Sequence, residues 1–387
     1  MPIMKKSTGL KLGLLLPLTA LVFRAEAQVT IEIRKVPEKT PATDTLFLAG
    51  NPNNWNPRNP AFAFKKAANN RFYLTLPQGE GELEYKITRG SWEKGETLAN
   101  GAGRGNRAYK AKAGKDTIRL EVENWQDNFA SPAKVHTAAS NVQVLSNEFW
   151  MPQLKKSRRV WLYLPPNYAT SGKKYPVLYM HDGQNVFDAF YSYSGEWGVD
   201  ESLNELFKTQ GKEVIVVAVD NGGEERMNEY TPWRNARYGG GKGDAYVDFL
   251  AQTLKPYIDA HYRTKSEKEH TGVAGSSMGG LISLYAALKH PEVFGRAGVF
   301  SPAFWVSPEF YEYAAKTKVA KDLKVYLVAG AKESKEMVPD MARMRDLLVK
   351  QGMKPSAFVY EVHADGEHKE SYWQREFPKV FSWLFAK

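Results

Sequence analysis

The decapeptide TGVAGSSMGG, residues 271–280, joins an apolar strand-like run to the motif Gly-x-Ser-x-Gly centred on Ser277. The apolar residues that follow, Leu281, Leu284 and Leu288, have helical spacing. A strand, a tight turn and a helix are the setting in which this motif presents a serine nucleophile. We therefore predict an α/β-hydrolase fold with Ser277 as the nucleophile, and with the amide of Met278 at the helix N-terminus as an oxyanion donor.

The segments around this motif alternate between strand-like and helix-like patterns. Apolar strands that alternate with helices indicate a mostly parallel sheet covered by helices on both faces. The first two strands have a short connection and should be antiparallel. Pro256 predicts a kink in its helix, or two shorter helices. The predicted strands are 142–149, 159–164, 177–180, 214–219, 272–274, 296–300, 325–329 and 357–363, and the predicted helices are 201–209, 245–262, 278–289, 339–351 and 372–386.

The general base should be a histidine after Ser277, because this fold orders its triad as serine, acid, histidine. His290 ends the nucleophile's own helix, before any candidate acid, and His363 ends a strand. His368 lies in the loop between the last strand and the last helix, from which it can reach the top of the sheet. The pattern favours His368, with His363 as the alternative.

The acid should follow the strand predicted at 325–329. Glu333 lies three residues beyond Gly330, and Asp340 follows in a predicted helix. A loop position gives the better reach to the histidine, so Glu333 is favoured, and Asp340 remains the alternative.

The second oxyanion amide should come from the loop after an early strand, here the segment HDGQN at 181–185. We place this amide at Gln184, with Gly183 as the alternative. An aromatic cleft with a few charges is typical of sites for sugars or aromatic acyl groups. The residues expected to bind substrate are Trp197, Arg226, Tyr230, Trp233 and Trp305.

Residues 28–126 have a different character, with short alternating runs separated by turn clusters, as in a small β-sandwich. The predicted strands are 30–36, 45–49, 71–76, 82–88 and 117–122. Residues 127–141 are polar and proline-containing, which indicates a linker, and residues 142–387 form the hydrolase domain.

The N-terminal 27 residues are typical of an export signal. Lys5 and Lys6 precede a short apolar segment, and Ala25-Glu26-Ala27 matches a signal-peptidase site. We expect a periplasmic or secreted protein with no membrane span after cleavage. The absence of cysteine excludes disulfides and thiol catalysis. A net charge of +10 without long basic runs gives no reason to expect a nucleic-acid partner, and no cofactor or metal site is predicted.

From residue 142 onward the chain resembles the Putative esterase family. This family includes feruloyl and acetyl-xylan esterases, enterochelin-type siderophore esterases and S-formylglutathione hydrolase. The family pattern implies an acid at Glu333, although the usual residue is aspartate. The resemblance rests on residues 181–185, 220–222, 275–280, 330–333 and 366–368 and on Trp373.

The N-terminal region resembles a starch- or glycogen-binding β-sandwich. The matching segments are 46–50, 54–57 and 85–86. The resemblance implies a glycan platform formed by Trp55 and Trp92.

Together these patterns predict a serine esterase that acts on carbohydrate esters, such as acetyl or feruloyl groups on a polysaccharide. Three alternatives remain open: a siderophore trilactone esterase, for which Arg226 would meet an acidic catecholate, an acyltransferase to a sugar, and a glycan-binding protein with a degenerate hydrolase domain.

Overall fold

A computed structural model describes residues 28–53, 55–77, 82–110, 114–129, 134–193, 195–235 and 239–386. The expected signal peptide, 1–27, lies outside the described residues. The chain divides into two compact units, with the boundary between Ser131 and Pro132.

The N-terminal unit is built from two main sheets with a shared apolar core. One sheet has the order β3-β4-β1-β8, and the other has the order β2-β5-β7. The apolar side chains of β1, Val29, Ile31 and Ile33, are buried in this core. The strands are β1 (Gln28–Lys35), β2 (Phe47–Gly50), β3 (Lys65–Lys66), β4 (Phe72–Pro77), β5 (Glu82–Thr88), β6 (Glu96–Thr97), β7 (Arg107–Lys110), β8 (Lys115–Glu121) and β9 (Asn124–Trp125).

The C-terminal unit contains an eight-stranded sheet with the order β10-β11-β13-β12-β16-β17-β18-β19. The first two strands pair antiparallel, as predicted, and β11 also pairs antiparallel with β13. The remaining pairs of this sheet are all parallel. The strands are β10 (Val142–Met151), β11 (Lys156–Tyr163), β12 (Val177–His181), β13 (Ile215–Val219), the small hairpin β14 (Arg234–Asn235) and β15 (Gly239–Gly240), β16 (Thr271–Ser276), β17 (Arg296–Phe300), β18 (Lys324–Gly330) and β19 (Phe358–His363).

Helices cover both faces of this sheet, so the α/β-hydrolase fold preceded by a β-rich region is confirmed. Successive residues of β12 point into two separate apolar clusters: Val177 and Tyr179 into one, Leu178 and Met180 into the other. The helices are α1 (Val199–Gln210), α2 (Arg226–Tyr230), α3 (Gly243–Phe249), α4 (Lys255–His261), α5 (Met278–Lys289), α6 (Glu309–Lys316), α7 (Met337–Lys350) and α8 (Glu370–Leu384).

The segment around Pro256 shows how the chain accommodates a proline. A π-helical turn, Leu250–Leu254, joins α3 to α4, and Pro256 follows it in the first turn of α4. The backbone stays right-handed helical at Phe249 and Lys255, so the helix continues through the junction. The wider turn accommodates the missing amide donor of the proline.

Part of the segment expected to be a linker is bonded to the hydrolase unit. Thr137 donates its amide to Asp188, and Ala139 donates its amide to Asp200, at 3.1 and 2.7 Å. Residues 134–141 therefore extend the hydrolase unit toward the N-terminus.

Candidate active site

Ser277 lies in the sharp turn between β16 and α5. Its backbone has φ 57° and ψ −121°, a conformation that costs a non-glycine residue about 1–3 kcal/mol. Two hydrogen bonds hold the turn: the Ser277 amide donates to the Phe300 carbonyl, and the Ala303 amide donates to the Ser277 carbonyl, both at 3.0 Å. A Cβ at Gly275 would lie 3.0 Å from both the Gly279 carbonyl and a His181 ring carbon. The tight turn therefore needs glycine at that position.

His368 and Glu333 are in direct contact. The His368 Nδ1 lies 2.7 Å from Glu333 Oε2, and an ionised carboxylate only accepts hydrogen bonds, so Nδ1 carries the proton. This leaves the Nε2 lone pair free to act as a base. The Glu333 carboxyl is 1 % exposed and the His368 side chain is 37 % exposed, so the acid is shielded while the base has access to solvent. Asp340, the alternative acid, lies on α7, and its backbone carbonyl faces Tyr311.

The remaining oxygen of Glu333 is also fixed. Its Oε1 accepts from the Gly330 amide at 2.6 Å and from the Ser301 hydroxyl at 2.7 Å. The Ser301 oxygen accepts in turn from the Trp373 indole N–H at 2.8 Å. The Trp373 ring stands edge-on to His368, with centroids 5.0 Å apart. In the sequence, Trp373 contributes only to the family resemblance and Ser301 lies outside every motif, so neither residue has an evident role there.

The loops that carry Glu333 and His368 meet through two glycines. A Cβ on Gly330 would overlap the backbone of Gly366, and the Lys332 amide donates to the Gly366 carbonyl at 3.1 Å. This close backbone approach brings the two loops near enough for Glu333 to reach His368.

The predicted oxyanion donors both lie at helix N-termini. Met278 is the first residue of α5, and Gln184 is the second residue of a 3-10 turn, Gly183–Asn185, that follows β12. Amides in a first helical turn have no acceptor within their own helix, so they can receive an anion. Asp182 precedes this turn in the left-handed conformation, and its amide donates to the Tyr230 hydroxyl at 3.1 Å.

A partly buried ion pair anchors the Gly183–Asn185 turn. Arg226 donates Nε and Nη2 to the Asp182 carboxylate at 2.7 and 2.8 Å, and the Asn221 side-chain amide donates to the same group at 2.7 Å. Burial alone would raise the pKa of Asp182, yet the Arg226 charge and these hydrogen bonds hold it below its usual value. The positive charge of Arg226 is therefore already balanced within the protein.

His181 packs against the turn that carries Ser277. It is 3 % exposed, its Nδ1 lies 2.9 Å from the Tyr246 hydroxyl, and burial lowers its pKa to about 3. The imidazole is therefore neutral at neutral pH and serves as packing under Gly275.

The structure corrects part of the expected substrate cleft. Tyr230 is fully buried, and Trp197 is 4 % exposed because it packs against Phe300 and Trp373. These two side chains belong to the core and do not line the cleft. Trp233 is half-buried against aromatic residues of α5 and α6, while Trp305 is 46 % exposed.

Two further sets of sequence candidates lie elsewhere. In the N-terminal unit Trp55 and Trp92 are half-exposed and tilted by 34°, with ring centroids 6.4 Å apart. In the hydrolase unit His363 lies between Glu361 and Glu376, where a metal ion could find three ligands. Lys379 and Arg375 already donate to those carboxylates at 2.7 Å, so cations of the protein itself balance this cluster.

The sequence model of the family described as Putative esterase matches residues 152–384. The uncharacterized protein YbbA of Bacillus subtilis is 28 % identical over 250 residues, which are 60 % of this chain and 94 % of that protein. The endo-1,4-beta-xylanase/feruloyl esterase of Xylanibacter ruminicola is 27 % identical over 250 residues, 63 % of this chain and 31 % of that protein.

Among solved structures, the enterobactin esterase of Shigella flexneri has a TM-score of 0.53 at 18 % identity and covers 88 % of each chain. This likeness concerns the fold. None of the described helices combines the length and the apolar character that crossing a bilayer would require.

Proposed function

The chain belongs to the Putative esterase family, and from that premise we propose that it is a serine hydrolase acting on carbohydrate esters through an acyl-enzyme. The observation that carries the proposal is the fixed pair of His368 and Glu333, in the same unit as a serine on a strained strand-to-helix turn. Carboxylic ester hydrolysis is the activity that the family supports. The serine mechanism and the carbohydrate substrate are our proposals.

In the proposed reaction His368 Nε2 takes the proton of the Ser277 hydroxyl as its oxygen attacks the ester carbonyl. The developing oxyanion is held by the amides of Met278 and Gln184. His368 then protonates the leaving alcohol, and Glu333 keeps the imidazole in the required tautomer throughout. A water molecule, activated by the same histidine, releases the acid and restores the serine.

A carbohydrate ester fits better than a siderophore trilactone. Relatives of 25–28 % identity carry the names of both activities. The charge of Arg226, which would have attracted a catecholate, is balanced by Asp182. A degenerate hydrolase is disfavoured, because the strained turn at Ser277 and the bonded pair of His368 and Glu333 are both present.

The first test is covalent labelling of the full mature chain with a fluorophosphonate, together with hydrolysis of p-nitrophenyl acetate. We expect Ser277→Ala and His368→Ala to lose about 10⁴-fold or more of the activity, and Ser277→Ala to lose labelling. Ser276→Ala, which changes the adjacent buried serine, is the matched control and should retain both. Labelling that persists in Ser277→Ala would show that another residue is the nucleophile.

The substrate class is tested next with acetylated xylo-oligosaccharides, a feruloylated arabinoxylan oligosaccharide and a catecholate trilactone. Release of acetate or ferulate from the sugars at the higher kcat/KM supports the proposal. Preferred turnover of the trilactone would replace it with the siderophore function.

For the N-terminal unit we propose glycan binding at the half-exposed pair Trp55 and Trp92, since aromatic faces stack on sugar rings. Affinity electrophoresis of the full chain in starch, glycogen and xylan gels tests this. Retardation that is lost in Trp92→Ala is the expected result, while equal migration in all gels would contradict it. We also propose export, which N-terminal sequencing of the protein from its native cells would test through cleavage after Ala27.

A further inference from the structure

One buried carboxyl beside the base has no part in the mechanism described above. Glu370 is the first residue of α8, two positions after His368, and it is 8 % exposed. Its carboxylate forms no ion pair with any residue that the structure describes. Carboxylates are rarely this buried unless they are paired, so the position needs an explanation.

Glu370 packs close to the loop that follows β12. The first turn of α8 packs against the loop that follows the Gly183–Asn185 turn: a Cβ on Gly195 would lie 3.5 Å from the Glu370 Cβ. Burial raises the pKa of Glu370 to about 7; a hydrogen bond from its own backbone, a protonated His368 and Arg226 oppose this shift, and the charge of Asp182 adds to it. Glu370 therefore lies within electrostatic reach of both the base and the ion pair that anchors the Gly183–Asn185 turn.

Arg226 provides a donor in the same region. Its Nε and Nη2 are used by Asp182, but Nη1 has no acceptor among the described residues, and the side chain is 26 % exposed. A carboxyl and a guanidinium in the same region offer an acceptor and a donor without a net positive charge. This combination matches neighbouring hydroxyl groups of a sugar, which both donate and accept.

The position relative to the base identifies the part of the ester concerned. His368 must deliver its proton to the leaving alcohol, so the alcohol portion lies beside the imidazole. Glu370, two residues from His368 along the chain, is therefore a candidate to contact the alcohol portion rather than the acyl group.

We propose that Glu370, with Arg226, determines specificity by binding hydroxyl groups next to the scissile ester oxygen on the alcohol portion of the substrate. This inference rests on the proposed serine esterase function. It narrows the substrate to esters of polyhydroxylated alcohols, and it disfavours anionic catecholates, because Glu370 would repel them.

The test compares two substrates that differ only in hydroxyl groups: the 2-O-acetate of methyl β-D-xylopyranoside with its other hydroxyls free, and trans-2-methoxytetrahydropyran-3-yl acetate. The full-length wild type should prefer the xyloside in kcat/KM. In Glu370→Ala this preference should fall about 10- to 100-fold, mostly through KM, since hydrogen bonds to a charged group are lost. Glu370→Gln, which keeps an acceptor oxygen, should show a smaller fall and covers the case in which the alanine variant does not fold.

Glu367→Gln is the matched control, since it removes a carboxylate from the same loop at an exposed position paired with Lys369. It should leave the preference unchanged. Equal losses on both substrates in the Glu370 variants would indicate a merely structural role and overturn the inference, as would a wild type with no preference.

Failure of the proposed function has a different signature. A wild type that neither reacts with the fluorophosphonate nor hydrolyses p-nitrophenyl acetate would overturn the serine mechanism, and the inference with it. A wild type active on p-nitrophenyl acetate but with unchanged substrate preference in Glu370→Ala would overturn the inference alone.

Discussion

Glu333 shows what a longer acid changes at the level of a single residue. Its carboxylate receives three hydrogen bonds, from His368, Gly330 and Ser301. The extra methylene relative to aspartate lets the group reach His368 while its other oxygen is tied to the end of its own strand. The glutamate is thus fixed at both oxygens.

We expect Glu333→Gln to lower kcat by about 10³- to 10⁴-fold. An amide at this position presents the wrong donor pattern to Nδ1 and favours the unproductive histidine tautomer. Steady-state hydrolysis of p-nitrophenyl acetate measures the effect. Asp340→Asn is the control, because Asp340 lies on α7 and should leave kcat within about twofold of the wild type; a large loss there and none at Glu333 would reverse the assignment.

At the level of single residues, the sequence was informative where the order of residues along the chain limits the candidates. The order of Ser277, Glu333 and His368, with the loop positions of the last two, was enough to select the pair that the structure brings to 2.7 Å. The two hydrogen bonds that link Trp373 to Ser301 and Ser301 to Glu333 join residues far apart in the chain. No local sequence pattern predicts such tertiary contacts.

At the level of elements, the Gly183–Asn185 turn depends on groups from a different loop. Asp182 contacts Arg226 and Asn221 through its carboxylate and Tyr230 through its amide, and all three partners lie in the segment after β13. The position of the predicted Gln184 donor is therefore set by tertiary contacts as well as by its own turn.

Tyr230→Phe tests this dependence. The change removes the acceptor of the Asp182 amide while it preserves the ring, so we expect kcat to fall about tenfold with little change in KM, and the free energy of unfolding to fall by about 1–3 kcal/mol. Tyr262→Phe, at a half-buried tyrosine after α4, is the control. An unchanged kcat in Tyr230→Phe would mean that the turn keeps its geometry without this bond.

Elements with strong periodicity were predicted well, and short ones were not. The long helices α5, α7 and α8 begin and end within two residues of the predicted bounds. The five-residue α2 and the eight-residue α6 were missed, since their patterns are too short to distinguish from loops. Burial of Tyr230 and Trp197 was also misjudged, because an aromatic residue near a strand end can face either the cleft or the core.

At the level of the whole molecule, one buried histidine makes the stability of the hydrolase unit depend on pH. His181 is buried between the sheet and the nucleophile helix, and burial lowers its pKa to about 3. The unfolded chain binds a proton near pH 6.5 and the folded chain does not, so this contribution to stability is complete above pH 6.5 and is lost as the pH falls toward 3.

We therefore expect His181→Asn to be less stable than the wild type at pH 7 but to lose less stability on acidification. Between pH 7 and pH 4.5 the wild type should lose about 2–3 kcal/mol more than the variant. Urea unfolding of the full chain at the two pH values measures this difference. His261→Asn, at an exposed histidine, should behave as the wild type, and an equal pH dependence in His181→Asn would contradict the expectation.

The alternation of strand-like and helix-like patterns predicted the overall architecture, but it did not predict where the hydrolase unit begins. The change from short strands to strand–helix alternation predicted two regions and the α/β fold. Residues 134–141 are polar and carry no periodicity, yet they bond to the hydrolase unit through backbone amides, which composition does not reveal.

The backbone strain at Ser277 has a practical consequence. The strain belongs to the main chain, so it persists when the hydroxyl is removed as alanine and is relieved only by glycine. We expect both Ser277→Gly and Ser277→Ala to be inactive. The free energy of unfolding of Ser277→Gly should exceed that of Ser277→Ala by about 1 kcal/mol, so the glycine variant should melt at the higher temperature. An inactive variant of this kind binds the ester without cleaving it. Immobilised Ser277→Gly could therefore capture the proposed ester from a cell-wall digest, and mass spectrometry of the bound molecules would identify it.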